Sequence, residues 1–403
     1  MTARILIWFL LSVIFYSYLG YGLLLAIFVR IKKLFRGEKY SGEKEVFEPM
    51  VCLFVTAYNE KDYINQKVNN SFSLDYPEDK VQYIWITDGS DDGTPDLLRK
   101  FPRLEVYHQK ERKGKIDAMN RGMKYVRTPY VIFSDTNTIL SRNTIRDIVA
   151  CFANPEVGCV AGEKRIAERK TDTASGSGEG LYWKMESRIK QMESELSSAV
   201  GGVGELFAIR TELFEPVEND TILDDFIISM KIVSKGYRIA YTPGAYAIEN
   251  ASLNVKEELK RKIRISAGGI QAMTRLWFLL NPFKYGIFSW QYFSHKVLRW
   301  AVSPLSLFLF LPVNIWLVGR EQLWFAISFP SLALWVQLLC YLLALLGWIF
   351  ENKKIKTKIF FAPAYFLAIN YASVRGLFRF FRGKQKVTWE KSKRAGTPGP
   401  ETG

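Results

Sequence analysis

Ile5 to Val29 is an almost uninterrupted apolar run. At about 25 residues it is long enough to cross a bilayer with some tilt. It is too long for the apolar stretch of a signal peptide, and its basic cluster follows it instead of preceding it. Two further apolar runs, Ala301 to Val318 and Leu323 to Phe350, are joined by Gly319-Arg320-Glu321-Gln322, the pattern of a helical hairpin. A third, Ile359 to Ala372, is short for a span and is flanked by basic residues. It crosses, re-enters or lies in the interface. Between these ends the composition changes. The average of 48% hydrophobic residues conceals a polar middle, residues 40 to 260, that reads as a soluble α/β domain.

The formal net charge is +15. Its basic residues gather beside the apolar runs: Arg30, Lys32, Lys33 and Arg36, then Lys260 to Arg264, then Arg375, Arg379, Arg382 and Lys384. Such flanks face the cytosol and its anionic membrane lipids, so the middle domain is expected to be cytosolic. No zinc-finger spacing or nucleic-acid motif accompanies the charge, and no nucleic-acid partner is expected. Cys52, Cys151, Cys159 and Cys340 show no metal spacing and read as reduced thiols. Val255 to Arg299 mixes Lys and Arg with Trp277, Phe278, Trp290 and Phe293, and Pro282 breaks it. Amphipathic helices in the headgroup plane have this make-up. The expected layout is a transmembrane helix and basic flank over 1–36, a cytosolic domain over 44–254, interfacial helices over 255–300, a transmembrane region over 301–382 and a basic, partly disordered tail over 383–403.

Within the domain, strands are expected at Met50 to Ala57, Val81 to Thr87, Leu104 to His108 and Tyr130 to Phe133, each followed by a helical stretch. That alternation predicts a doubly wound, mostly parallel sheet. Ligands of such sheets bind beyond the carboxyl ends of the strands. Tyr58-Asn59-Glu60, Asp88-Gly89-Ser90 and Ser134-Asp135-Thr136-Asn137 fall at those ends. The second half reads as a long helix from Glu179 to Ser198, a flexible loop Gly201-Gly202-Val203-Gly204, a strand Glu205 to Arg210, a helix opened by Asp224-Asp225 and a strand Tyr237 to Tyr241.

Five groups carry chemistry. Asp135 and Asn137 can offer two oxygens to Mg²⁺ or Mn²⁺, which would neutralise a diphosphate, or can form a plain Asx turn. Asp88 can accept hydrogen bonds from a nucleoside, and Asp92 or Thr94 can cap the helix behind it. Lys113-Gly114-Lys115 allows close approach to phosphate, or is a solvated turn. Asp224-Asp225 suits a helix start, and one carboxylate there can take a proton from an attacking hydroxyl. Arg261 and Arg264, three apart on one helix face, can clamp a diphosphate or touch headgroups.

The ordered set Val55-Thr56-Ala57-Tyr58-Asn59-Glu60, Asp88-Gly89-Ser90, Gly114-Lys115 with Ala118 and Asn120, Asp135-Thr136-Asn137, Gly204 to Arg210, Asp224-Asp225 and Arg261-Lys262-Ile263-Arg264-Ile265 resembles the family-2 processive glycosyltransferases. Cellulose, hyaluronan and poly-N-acetylglucosamine synthases belong there, and the likeness covers residues 50 to 300. It implies a Rossmann-like, type-A glycosyltransferase domain inserted between transmembrane helices, in a bacterial cytoplasmic (inner) membrane. It implies inverting transfer from a nucleotide sugar, on UDP, to a growing polysaccharide. Ala57, Glu60 and Asp88 would hold the nucleoside, with Lys115 assisting, and Asp135 would meet the metal and diphosphate. Asp225 matches the family's general base, with Asp224 in place of the preceding Glu. Arg261 and Arg264 match the Gln and Arg of its Gln-x-x-Arg-Trp motif.

Two positions depart from the pattern. Asn137 stands where many members carry a second Asp, which weakens metal binding. Ile265 stands where the family has a Trp that holds the acceptor at the mouth of a translocation channel. Processivity is therefore less supported than transfer. Single-sugar transfer to a lipid acceptor such as polyprenyl phosphate is the alternative. A non-catalytic membrane subunit or transporter is a third reading, and the intact Asp88, Asp135 and Asp225 argue against it.

Overall fold

The apolar runs of the polar middle become strands of one sheet. The structure, a computed structural model, describes residues 2–36, 47–167, 174–252, 255–351 and 358–383. They fall into two compact units. One takes in the described residues from 28 to 167 and from 183 to 250, and the other those up to 27, from 174 to 182 and from 251 to 383. The basic tail lies outside the described residues apart from Gly383.

In the sheet-bearing unit the strands are β1 (Val51–Ala57), β2 (Val81–Asp88), β3 (Glu105–Gln109), β4 (Tyr130–Asp135), β5 (Ile139–Leu140), β6 (Val157–Ile166), β7 (Leu206–Arg210) and β8 (Arg238–Glu249). Their order is β3-β2-β1-β4-β7-β6-β8-β5. β1 pairs in parallel with β2 and β4, and β2 with β3, giving the doubly wound half expected. β7 runs antiparallel to β4 and β6, and β6 is parallel to β8. The sheet is therefore mixed beyond β4. Val51 to Val55 and Ile84 to Ile86 are buried at every position, as strands covered on both faces must be. The helix Thr144–Phe152 buries Ile145, Ile148, Val149 and Phe152, one helical stripe, against this sheet. Each such side chain contributes about 1.5–3 kcal/mol.

β6 and the part of β8 beyond the expected strand Tyr237 to Tyr241 escape an apolar-run reading. β6 ends in Glu163-Lys164-Arg165-Ile166, and β8 runs on through Pro243 and Gly244 to Glu249. The β6–β8 ladder slips between Ala161 and Glu163, and a proline is tolerated at such an irregularity.

The other unit is helical. Ala3–Phe35, Ile287–Arg320 and Phe329–Ile349 are long and apolar enough to cross a membrane. The helix Val255–Arg275 ends before Pro282, as expected, and Asn281 caps the next turn by accepting from the Phe283 amide at 3.0 Å. No helix break falls at residue 300: the segment reaching Arg320 begins at Ile287 and passes through a π-helical stretch, Phe293–Val302. The hairpin turn follows Arg320, with Glu321 paired to Arg4 at 2.6 Å. The helix Lys358–Phe381 contains the short third run and packs closely on Val255–Arg275: a Cβ on Gly376 would lie 2.5 Å from that of Ser266.

Candidate active site

Parallel strands share a direction, so their polar carboxyl ends meet at one edge. Ala57 lies beside Thr87, and Asp135 beside Thr56. The loops after β1 and β2 are sewn together. Asn59, at φ +52°, donates from Nδ2 to Asp91 at 2.8 Å and accepts the Asp91 amide at 3.0 Å. The Glu60 amide donates to Thr94 Oγ1 and the Lys61 amide to Asp92 Oδ2, both at 3.1 Å.

Asp88 is buried, and its carboxylate accepts the backbone amides of Lys113 at 3.1 Å and Gly114 at 2.6 Å. It therefore organises the turn that carries Lys115 as well as standing at the expected nucleoside edge. Gly89 makes this possible. Its φ is +69°, and a Cβ there would lie 2.6 Å from Cβ of Arg112 and 2.8 Å from its Cα. Arg112 stacks its guanidinium 3.8 Å from the Tyr58 ring centroid. Gly89→Ala should destabilise the fold by about 2 kcal/mol or more. Thermal unfolding checks this, and a variant with unaltered melting would contradict it.

Lys115 opens the helix Lys115–Gly122 and reaches two carboxylates. Its Nζ is 2.9 Å from Asp135 Oδ1 and 3.2 Å from Asp224 Oδ2. The second contact is an ion pair off the hydrogen-bond direction, so Asp224 Oδ2 has no hydrogen-bond partner among the described residues. Burial works against the Lys115 charge, but Asp135 and Asp224 outweigh it and hold the ammonium well above its usual range. Burial raises Asp135, and Lys115 partly offsets that rise. Asp225 is pushed up to about 7, first by burial and then by the charge of Asp224. Both aspartates begin the helix Asp224–Ser234, where the dipole favours negative charge.

The Gly201–Gly204 segment is not the flexible loop expected. Lys190 donates to the Gly201 and Gly202 carbonyls at 2.6 and 2.9 Å, and the Gly202 amide donates to Ser229 Oγ at 2.8 Å. Gly201 sits at φ +84°, and a Cβ there would lie 2.3 Å from the Phe226 ring. A Cβ on Gly204 would lie 3.6 Å from Asp225 Cγ, so the segment forms a wall beside that carboxylate.

Sequence reasoning passed over Lys67. It is fully buried, and it donates to Ser134 Oγ at 2.7 Å and to the Thr138 carbonyl at 2.9 Å, bracketing Asp135. Burial lowers its pKa to about 7. Its signal was a lysine on the buried stripe Ile64, Val68, Ser71. Asn137 gives its amide nitrogen to Glu249 Oε1 at 3.1 Å, which leaves its carbonyl oxygen as the ligand it can offer. Arg261 and Arg264 lie on the helix Val255–Arg275 of the helical unit. There the Arg261 guanidinium meets Glu179 at 2.5 Å and Glu258 at 3.0 Å.

No group of three or more His, Cys, Asp or Glu converges on a cation position among the described residues. The donor set of Asp135 and Asn137 fits Mg²⁺ or Mn²⁺ taken up with a diphosphate, because such ions are held by one or two carboxylates, waters and phosphate oxygens. The half-buried Asp135 carboxylate, met on one oxygen by Lys115, is the anionic ligand that this set can offer.

Residues 52–217 match the family described as Glycosyl transferase family 2. A Poly-beta-1,6-N-acetyl-D-glucosamine synthase of Staphylococcus epidermidis is 24% identical over 341 residues, 80% of this chain and 82% of its own. One from Staphylococcus aureus (strain MSSA476) is 27% identical over 237 residues, 57% of this chain and 56% of its own. The mannosyltransferase PcManGT from Pyrobaculum calidifontis, solved in complex with GDP-Man and Mn²⁺, superposes with a TM-score of 0.68 over 95% of this chain and 100% of its own. At 22% identity that likeness speaks for the fold. Residues 52–217 thus match a family-2 glycosyltransferase domain, and the chain is similar along most of its length to a poly-N-acetylglucosamine synthase.

Proposed function

We propose that the chain transfers a sugar from a UDP-sugar to a growing polysaccharide, with inversion at the anomeric carbon. The observation that carries this reading is one carboxylate, Asp225, held near neutral proton affinity beside the Lys115–Asp135 pair. Asp88 and the loop from Ala57 to Glu60 bind the nucleoside, and Lys115 meets the diphosphate. Asp135 and the Asn137 carbonyl oxygen hold Mg²⁺ or Mn²⁺, which supplies charge neutralisation for the leaving group. Asp225 takes the proton of an acceptor hydroxyl. That oxygen bonds to the anomeric carbon while the bond to the diphosphate breaks, and the nucleoside diphosphate departs with the electron pair. Arg261 and Arg264 are proposed as a further clamp, a role in which Arg261 exchanges Glu179 and Glu258 for phosphate oxygens. Basic flanks support a cytosolic catalytic unit in a bacterial inner membrane.

The relatives' names favour a polysaccharide acceptor. Ile265, where the family pattern has Trp, favours a second reading: one sugar added to a lipid-linked acceptor. Purified protein with radiolabelled UDP-N-acetylglucosamine and Mn²⁺ decides between them. A ladder or polymer supports the first, and a single lipid-soluble product the second. UDP release should fall at least about a hundredfold on chelation with EDTA and return with Mn²⁺. Release that is indifferent to EDTA would remove the metal from the scheme, and no release from any UDP-sugar would remove the activity.

A further inference from the structure

Lys164, near the end of β6, exposes none of its side chain and contacts two carboxylates, Glu205 Oε1 and Glu249 Oε2. The sheet order explains the reach, since β6 lies between β7 and β8. Glu249 closes β8 and turns its other oxygen to Asn137 Nδ2 at 3.1 Å. Glu205 precedes β7 and follows Gly204, the residue that faces the Asp225 carboxylate. The indole of Trp183 lies over the Lys164 ammonium, 5.0 Å from the ring centroid. A continuous run, Asn137 to Glu249 to Lys164 to Glu205, thus joins the turn after β4 to the wall beside Asp225. Well-packed apolar residues would stabilise a core as well as such buried pairs do, so stability alone does not account for it.

We propose that Lys164 is a positioning residue for the transfer: it fixes Glu249 against Asn137 and holds the charge of Glu205 away from Asp225, so that the cation turn and the base are set by one ammonium. This rests on Asp225 being the base. The charged groups that bear on Asp225 are Asp224 on its own helix, Lys115 on the helix Lys115–Gly122, Glu205 before β7 and Lys190 on the helix Ala174–Leu196. The carboxylates raise its proton affinity and the ammoniums lower it. Among these four, Glu205 is the one that Lys164 contacts.

The test is the pH dependence of kcat/KM for UDP-N-acetylglucosamine in Mn²⁺, on the full chain. Glu205→Gln keeps the size and can still accept from Lys164 while losing a charge. Its acid limb should move to lower pH by roughly one unit. Lys164→Met leaves Glu205 uncompensated and Glu249 unanchored. Its acid limb should move up, and its Mn²⁺ affinity, read by electron paramagnetic resonance, should weaken about tenfold or more. If Lys164→Met does not fold, the shift in Glu205→Gln carries the test alone. An acid limb of Glu205→Gln that overlays the wild type, or moves up, overturns the proposal, as does a folded Lys164→Met with an unchanged profile. Asp225→Asn separates the two ideas. If it turns over like the wild type, the base assignment has failed. If it is inactive while Glu205→Gln leaves the limb unmoved, the coupling through Lys164 has failed.

Discussion

Asp225→Asn is expected to lower sugar transfer by at least about a thousandfold while leaving UDP binding nearly intact. The two side chains have the same shape, and the amides of Lys113 and Gly114 that shape the nucleoside edge are held by Asp88, not by Asp225. The change removes a proton acceptor. The wild type should show a matching pH dependence. With Asp225 raised to about 7, the base is protonated and idle in acid, so kcat/KM should climb through pH 7 and level off above it. Stability runs the other way. The unfolded carboxyl ionises near pH 3.9, so above that pH its raised folded pKa counts against folding, and in full above pH 7. Asn carries no such penalty. Asp225→Asn should therefore match or exceed the wild-type melting temperature at pH 8 and lose that advantage near pH 4. Wild-type turnover in this variant would falsify the base assignment.

Which parts of this site were legible in sequence follows from how each is built. Ala57, Asp88 and Asp135 end apolar runs, and in a parallel sheet the strand ends must meet at one edge. Asp224-Asp225 announces a helix start by its charge. What stayed hidden depends on partners distant in the chain. Lys164 finds Glu205 and Glu249 only because β6 is threaded between β7 and β8, and the antiparallel β7 has no signature that distinguishes it from a parallel strand. The Gly201–Gly204 segment reads as flexible because glycine is permissive, yet here the glycines admit Phe226 and Asp225 at close range. In the helical unit, hydropathy marks where apolar helices lie. It does not mark where they begin: Ile287 to Val302 carries Gln291, His295, Lys296 and Arg299, and still continues into the span that reaches Arg320. Arg261 shows the same limit for charge. Its motif position suggests a phosphate clamp, while Glu179, 82 residues away, supplies its nearest carboxylate.

Lys115→Met should uncouple cation affinity from turnover. The ammonium faces Asp135 and Asp224, and Asp225 adds its field. Met keeps the length of the chain and deletes the charge. The aspartates then repel one another without a counter-ion, so the proton affinity of Asp225 should rise beyond 7 and transfer at pH 7 should fall at least about a hundredfold. Raising the pH should restore part of it, since more of the base is then ionised. Mn²⁺ should bind more tightly, because Asp135 is freed from its competing ammonium. A lost structural contact predicts the reverse, weaker binding of the ion. Stability gives an independent reading. The folded pKa of Lys115 lies above its unfolded value, so its contribution is complete below about pH 10 and present at both pH 5 and pH 8. Its removal should cost about 3 kcal/mol at pH 8. The loss should be smaller at pH 5, where Asp225, raised to about 7, takes up a proton and no longer adds its charge to the cluster. Mn²⁺ titration by electron paramagnetic resonance and melting at the two pH values measure both effects. Unchanged Mn²⁺ affinity together with an equal stability loss at both pH values would show that Lys115 does not serve as the counter-charge of this carboxylate cluster.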